Sequence, residues 1–127
     1  MFGIFKQKQI KIVNKEELIE TLTRILELLR DNGFSYQANA IRKPLQYLYS
    51  DDEKNFVKYL LTSDIWGGSG AAWEVGGLKP REVEREFEKN FIKLAELMKQ
   101  TGIKSSKAES VSGFFKSNIE KETQKAT

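Results

Sequence analysis

Apolar residues recur along this chain at helical spacing. Between residues 14 and 31, Leu18, Leu22, Ile25 and Leu29 stand four, three and four apart, and Ile19, Leu26 and Leu28 widen the stripe. Such spacing lays a broad apolar face along one helix. Asn14 occupies the cap position with Glu17 three residues on, the order of a capping box. Gly33, after Asn32, is the expected left-handed stop. A second helix is expected over 35–49, capped by Ser35 and running through Tyr36, Ala40 and Ile41, with Leu45, Tyr47, Leu48 and Tyr49 after them apolar enough to pack. Pro44 lies inside it. A proline there removes a backbone donor, so either the helix stops near Arg42 or a new turn starts with Pro44 at its first position.

The run Ser50-Asp51-Asp52-Glu53 reads as the start of a third helix over 51–63. Ser50 and Glu53 have capping-box spacing, and three acids fall in the positive first turn. Phe56, Val57, Leu60 and Leu61 form its face, and Asp64 closes it. Pro80 opens the fourth and longest predicted helix, 80–101. There Val83, Phe87, Phe91, Leu94 and Met98 fall within about 80° on a helical wheel, and Gly102 ends it.

The two ends differ from this body. Gln9-Ile10-Lys11-Ile12-Val13 partly alternates, which suits a short strand or an ordered arm. Residues 104–127 are dominated by Ser, Lys, Glu and Thr, with Phe114, Phe115 and Ile119 as the strong anchors. This stretch reads as a mobile tail with a short helix near 112–122. The expected fold is therefore all-α: a compact bundle of about four helices over 14–102, an N-terminal arm at 1–13 and a flexible tail at 103–127.

Between the third and fourth predicted helices lies the segment that breaks the pattern, Asp64-Ile65-Trp66-Gly67-Gly68-Ser69-Gly70-Ala71-Ala72-Trp73-Glu74-Val75-Gly76-Gly77-Leu78. It holds both tryptophans of the chain and five of its nine glycines. Glycines beside large aromatics predict a shaped loop. As a phosphate cradle it fails: Trp73 stands where the third glycine of GxGxxG belongs, a helix precedes it, and no Lys-Ser or Lys-Thr follows. Two readings remain, and they can coexist. In one, Trp66 and Trp73 plug the ends of the helical core and Ser69 caps a short turn over 71–75. In the other, the indoles with Asp64, Ser69 and Glu74 present a surface to another protein, since tryptophan is enriched among interface hot spots.

Composition narrows the chemistry. The 127 residues suit one domain. The chain has no histidine and no cysteine. That removes imidazole bases, thiol nucleophiles, thiolate zinc sites and disulfides. Carboxylate pairs remain. Asp51, Asp52 and Glu53 are explained by capping, and Glu82, Glu84, Glu86 and Glu88 alternate around their helix, so Asp64 and Glu74 are the pair that flanks the loop. Two carboxylates alone make a poor calcium site, and no cofactor or metal is expected. The net charge of +3 sits at the ends: residues 1–13 carry three lysines and no acid, 103–127 five lysines and three glutamates, and the middle has two more acids than bases. A folded body that is slightly acidic argues against nucleic-acid binding.

No apolar run approaches the roughly 20 residues of a membrane span, and the first residues are too short and too quickly charged for a signal peptide. Phe2, Ile4 and Phe5 beside Lys6 and Lys8 are expected to fold back on the core in preference to touching a membrane surface. The absence of cysteine fits a cytoplasmic location.

Leu26-Glu27-Leu28-Leu29-Arg30, then Gly33, Ala38 and Ala40, then Trp66-Gly67-Gly68-Ser69-Gly70 resemble a group of small uncharacterised bacterial helical proteins. Their pattern is a leucine-rich first helix, a glycine, an alanine-bearing second helix and a GGxGS-like loop. The resemblance covers roughly 18–78. It departs where those proteins end the motif with serine and an acid, since Ala71 and Glu74 stand here. By size and class, though not by motif, the chain is also similar to immunity proteins of bacterial toxin systems. That similarity implies a non-catalytic protein that binds and blocks a cognate toxin. The alternative is a small-ligand binder or carboxylate-based enzyme working through residues 64–78.

Overall fold

The computed structural model describes residues 10–126. Six α-helices occur among them: α1 (Lys15–Asp31), α2 (Ser35–Tyr49), α3 (Glu53–Leu60), α4 (Ser63–Trp66), α5 (Arg81–Gln100) and α6 (Ser106–Ala126). One 3₁₀ turn, Ala72–Glu74, lies between α4 and α5, and the described residues contain no strand. None of these helices is long and apolar enough to cross a membrane.

The periodic stripes become the core. Leu18, Leu22, Ile25 and Leu29 of α1 are fully buried against α2 and α5. Ile41 and Leu48 of α2, Phe56 and Leu60 of α3, and Phe87, Phe91 and Leu94 of α5 close around them. Across the α1–α5 interface Arg24 meets both carboxylate oxygens of Glu86, Nη2 to Oε1 at 2.8 Å. That hydrogen bond holds the Glu86 carboxyl below its ordinary range. Both side chains are about 40% exposed, so the pair orients the helices more than it stabilises them.

Several local expectations give way to tertiary contacts. Asn14 stands at the N-cap of α1 without a side-chain capping bond. Its amide instead donates to the Leu97 carbonyl of α5 at 2.9 Å. Ser50 closes α2 instead of opening α3: its hydroxyl reaches back to the Gln46 and Tyr47 carbonyls. Asp52 caps α3 by accepting from the Asn55 N–H at 3.2 Å, and Glu53 accepts from the Ile12 N–H at 2.7 Å. The predicted helix over 51–63 divides in two, because the chain turns at Leu61 and Thr62 before Asp64 enters the short α4. Pro44 neither ends nor restarts α2. The helix runs through it, with Pro44 buried between buried Ile41 and Leu45, so packing outweighs the lost backbone bond.

The ends also differ from expectation. Residues 10–13 form no strand. They are an arm tied to α5 through Thr101, whose Oγ1 donates to the Lys11 carbonyl at 2.8 Å and accepts from the Val13 N–H at 3.1 Å. Phe2, Ile4 and Phe5, with the rest of 1–9, lie outside the described residues. The helix expected near 112–122 is present but extends over most of the expected mobile tail as α6, which at 21 residues is one longer than α5. Ala108, Val111 and Phe115, spaced three and four apart, bury themselves against the body. Farther along, Asn118 donates to Glu88 at 3.3 Å, and Arg81 and Arg85 of α5 both pair with Glu122. The bundle therefore has more helices than the four expected, and its last helix is part of it.

Candidate functional site

The Gly/Trp segment is stitched into the molecule at several points. Trp66 ends α4 with its ring 3% exposed and meets Phe91 of α5 edge to face at 5.5 Å between centroids. Gly67 follows, and its N–H returns to the Ser63 carbonyl at 2.9 Å. The Trp73 indole N–H donates to the Gly67 carbonyl at 2.7 Å, closing the loop on itself. Ala71, Ala72 and Leu78 are buried, and the Gln37 amide of α2 reaches the Gly70 carbonyl at 3.4 Å. A segment with this many anchors holds one shape.

The five residues expected to meet a partner separate into three settings. Trp66 and Trp73 come together on one side, where they line a groove of about 420 Å³ with Gly67 and Gly68. Asp64 is exposed and looks elsewhere, accepting from the Tyr59 hydroxyl at 3.0 Å. Ser69 and Glu74 are exposed. Ser69 does not cap the turn over 72–74, which has Ala71 at its cap position. Neither Asp64 nor Glu74 lines the groove between the tryptophans.

The opposite wall of that groove comes from α6, through Ser106, Lys107, Ser110, Val111 and Phe114. Sequence reasoning missed this wall because it took the segment as a tail. The available clue was the spacing of Ala108, Val111, Phe115 and Ile119, three, four and four apart. Phe114 and Phe115 divide their roles. Phe115 is 5% exposed and touches Trp73, Phe87 and Phe91. Phe114 is 54% exposed and meets Trp73 edge to face at 6.1 Å. The result is an aromatic pair, half-buried Trp73 and exposed Phe114, standing on a buried aromatic base.

A second polar cluster lies at Tyr59. The Lys43 ammonium sits over its ring, 5.3 Å from the centroid, and its hydroxyl binds Asp64. Burial, followed by the Asp64 hydrogen bond, pushes the Tyr59 phenol up to about 12. Among the described residues no three carboxylates gather as metal ligands.

The chain was compared with protein-family models, curated proteins and solved structures, and it matches none of them. The functional reading therefore stands on the residues themselves.

Proposed function

We propose that this chain is a non-catalytic protein-binding protein, in its most concrete form a cytoplasmic immunity protein that neutralises a bacterial toxin by direct binding. The observation that carries this reading is the Trp73–Phe114 pair, in which exposed Phe114 meets half-buried Trp73 beside a loop with internal anchors. Exposed aromatic clusters invite aggregation unless they serve contact. Contact is also where tryptophan contributes most to binding. A preorganised surface loses little ordering entropy on association, which suits a blocker that needs affinity and no chemistry.

The test is capture of a partner from bacterial lysate by the full chain, with Phe114→Ser as control. Phe114 is half in solvent, so the variant is expected to keep its fold and lose most of the capture. Equal capture by Phe114→Ser would remove this surface from the interface. For the immunity reading, co-expression with a toxin encoded beside this gene should restore growth, and Phe114→Ser should not.

A second reading, a small-ligand binder at the same loop, draws on the groove's volume of about 420 Å³, which falls in the range of small-molecule sites. Carboxylate-based catalysis by Asp64 and Glu74 has no such support, because both stand outside that groove.

A further inference from the structure

The groove beside Trp73 has a chemistry that the general reading leaves open. Its apolar surface comes from Trp66, Trp73, Val111 and Phe114. Its one charged lining residue is Lys107, which has no acidic partner among the described residues. The nearby acid of α6, Glu109, faces the other way, 3.8 Å from Lys99. Polarity at the same end has one sign. Ser106 and Lys107 form the first turn of α6, where the helix dipole favours an anion, and the Ser105 hydroxyl caps that turn by accepting from the Ala108 N–H at 3.1 Å. The lining thus combines apolar surface and a cation, with no carboxylate.

We propose that this groove binds an acidic peptide segment of a partner protein that carries an aromatic or leucine side chain beside its acid. This rests on the protein-binding reading and names the partner's chemistry. The apolar side chain packs in the groove against Trp73 and Phe114, and the neighbouring carboxylate meets Lys107 and the positive end of α6. Charge complementarity decides for an acidic segment. A basic one would set its charge against Lys107 and the positive end of the helix with nothing to offset it.

The chain's only two tryptophans both line the groove, so their emission reports its occupancy. A random-peptide phage library selected on the full chain should yield sequences enriched in an acid adjacent to an aromatic or leucine. A synthetic peptide from that selection should shift tryptophan emission on titration. Lys107→Glu should weaken it roughly tenfold or more with an unchanged melting temperature, and Phe114→Ser should weaken it comparably. Selected sequences without acids, or a peptide indifferent to Lys107→Glu, would overturn the proposal. So would an emission shift with decanoate that no peptide reproduces, which would make the groove a small-molecule pocket, or self-association that Lys107→Glu abolishes. Failure of the wider reading looks different. A lysate partner still captured by the Lys107→Glu chain keeps the protein-binding reading and sinks the groove. Acidic peptides selected by a chain that captures no partner keep the groove and sink the wider reading.

Discussion

Trp66 rests edge-on against Phe91, ring centroids 5.5 Å apart, and this contact joins the end of α4 to the middle of α5. The shape of the loop therefore depends on a core contact. Trp66→Ala would empty an indole site that is only 3% exposed, a change expected to cost about 3–5 kcal/mol. Trp66→Phe should cost less. It keeps a ring near Phe91 and removes an N–H that is buried without an acceptor, a burden of about 1–3 kcal/mol in itself. Urea midpoints of the two variants check the order. Equal losses would mean that the ring contact contributes little.

Gly67 and Gly68 are adjacent and should respond differently to alanine. A Cβ on Gly67 would stand 2.5 Å from the Ser63 carbonyl oxygen and 2.7 Å from Ser63 Cβ. The same carbonyl receives the Gly67 N–H, so relief of the clash breaks the end of α4. Gly67→Ala is expected to destabilise by about 1–3 kcal/mol, as overpacking does, and to weaken the groove by shifting Trp73. A Cβ on Gly68 meets nothing within 4 Å. Gly68→Ala should stay within about 0.5 kcal/mol of the parent. Thermal melts together with tryptophan emission separate the pair, and a neutral Gly67→Ala would contradict the close approach.

The helical body was legible because long apolar stripes mark buried faces whatever lies opposite them. Leu18, Leu22, Ile25 and Leu29 needed no knowledge of partners. The caps were less legible, since a cap is a local competition that a distant acceptor can win. Asn14 has the right residue type for its position, yet the Leu97 carbonyl takes its amide. Helix α6 was legible only in part, as a short helix near 112–122 within a tail, for a related reason. Its stripe is narrow, Ala108, Val111 and Phe115, and its polar remainder resembles a solvated tail until Trp73, Phe87 and Phe91 supply the surface it covers. At the candidate site, the two tryptophans were visible from the sequence. Their separation from Asp64 was not, because Tyr59 captures that carboxylate.

The Tyr59–Asp64 hydrogen bond gives an alkaline signature. Burial is the larger cause of the raised phenol, and the Asp64 carboxylate the next. In the unfolded chain Tyr59 ionises near its ordinary value of about 10. The folded value is higher, so the stability this group contributes is intact below about pH 10. It is lost as the pH climbs toward about 12. Tyrosinate absorbance should show a step near pH 12 that Tyr59→Phe removes. Asp64→Asn should move that step down only part of the way, because burial remains. A step unmoved by Asp64→Asn would deny the hydrogen bond its role.

Phe114 and Phe115 give the sharpest test of α6. Phe115 is enclosed by Trp73, Phe87 and Phe91, so Phe115→Ala should lower stability by about 3–5 kcal/mol. Phe114 stands 54% exposed on the rim of the groove, so Phe114→Ser should shift stability far less and show its effect in binding. A flexible tail would make both changes neutral in denaturation. A helix packed in the opposite register would reverse them, because residues one apart lie about 100° around a helix from each other. Urea midpoints for the two variants therefore determine whether α6 exists as a packed element and which face it turns inward.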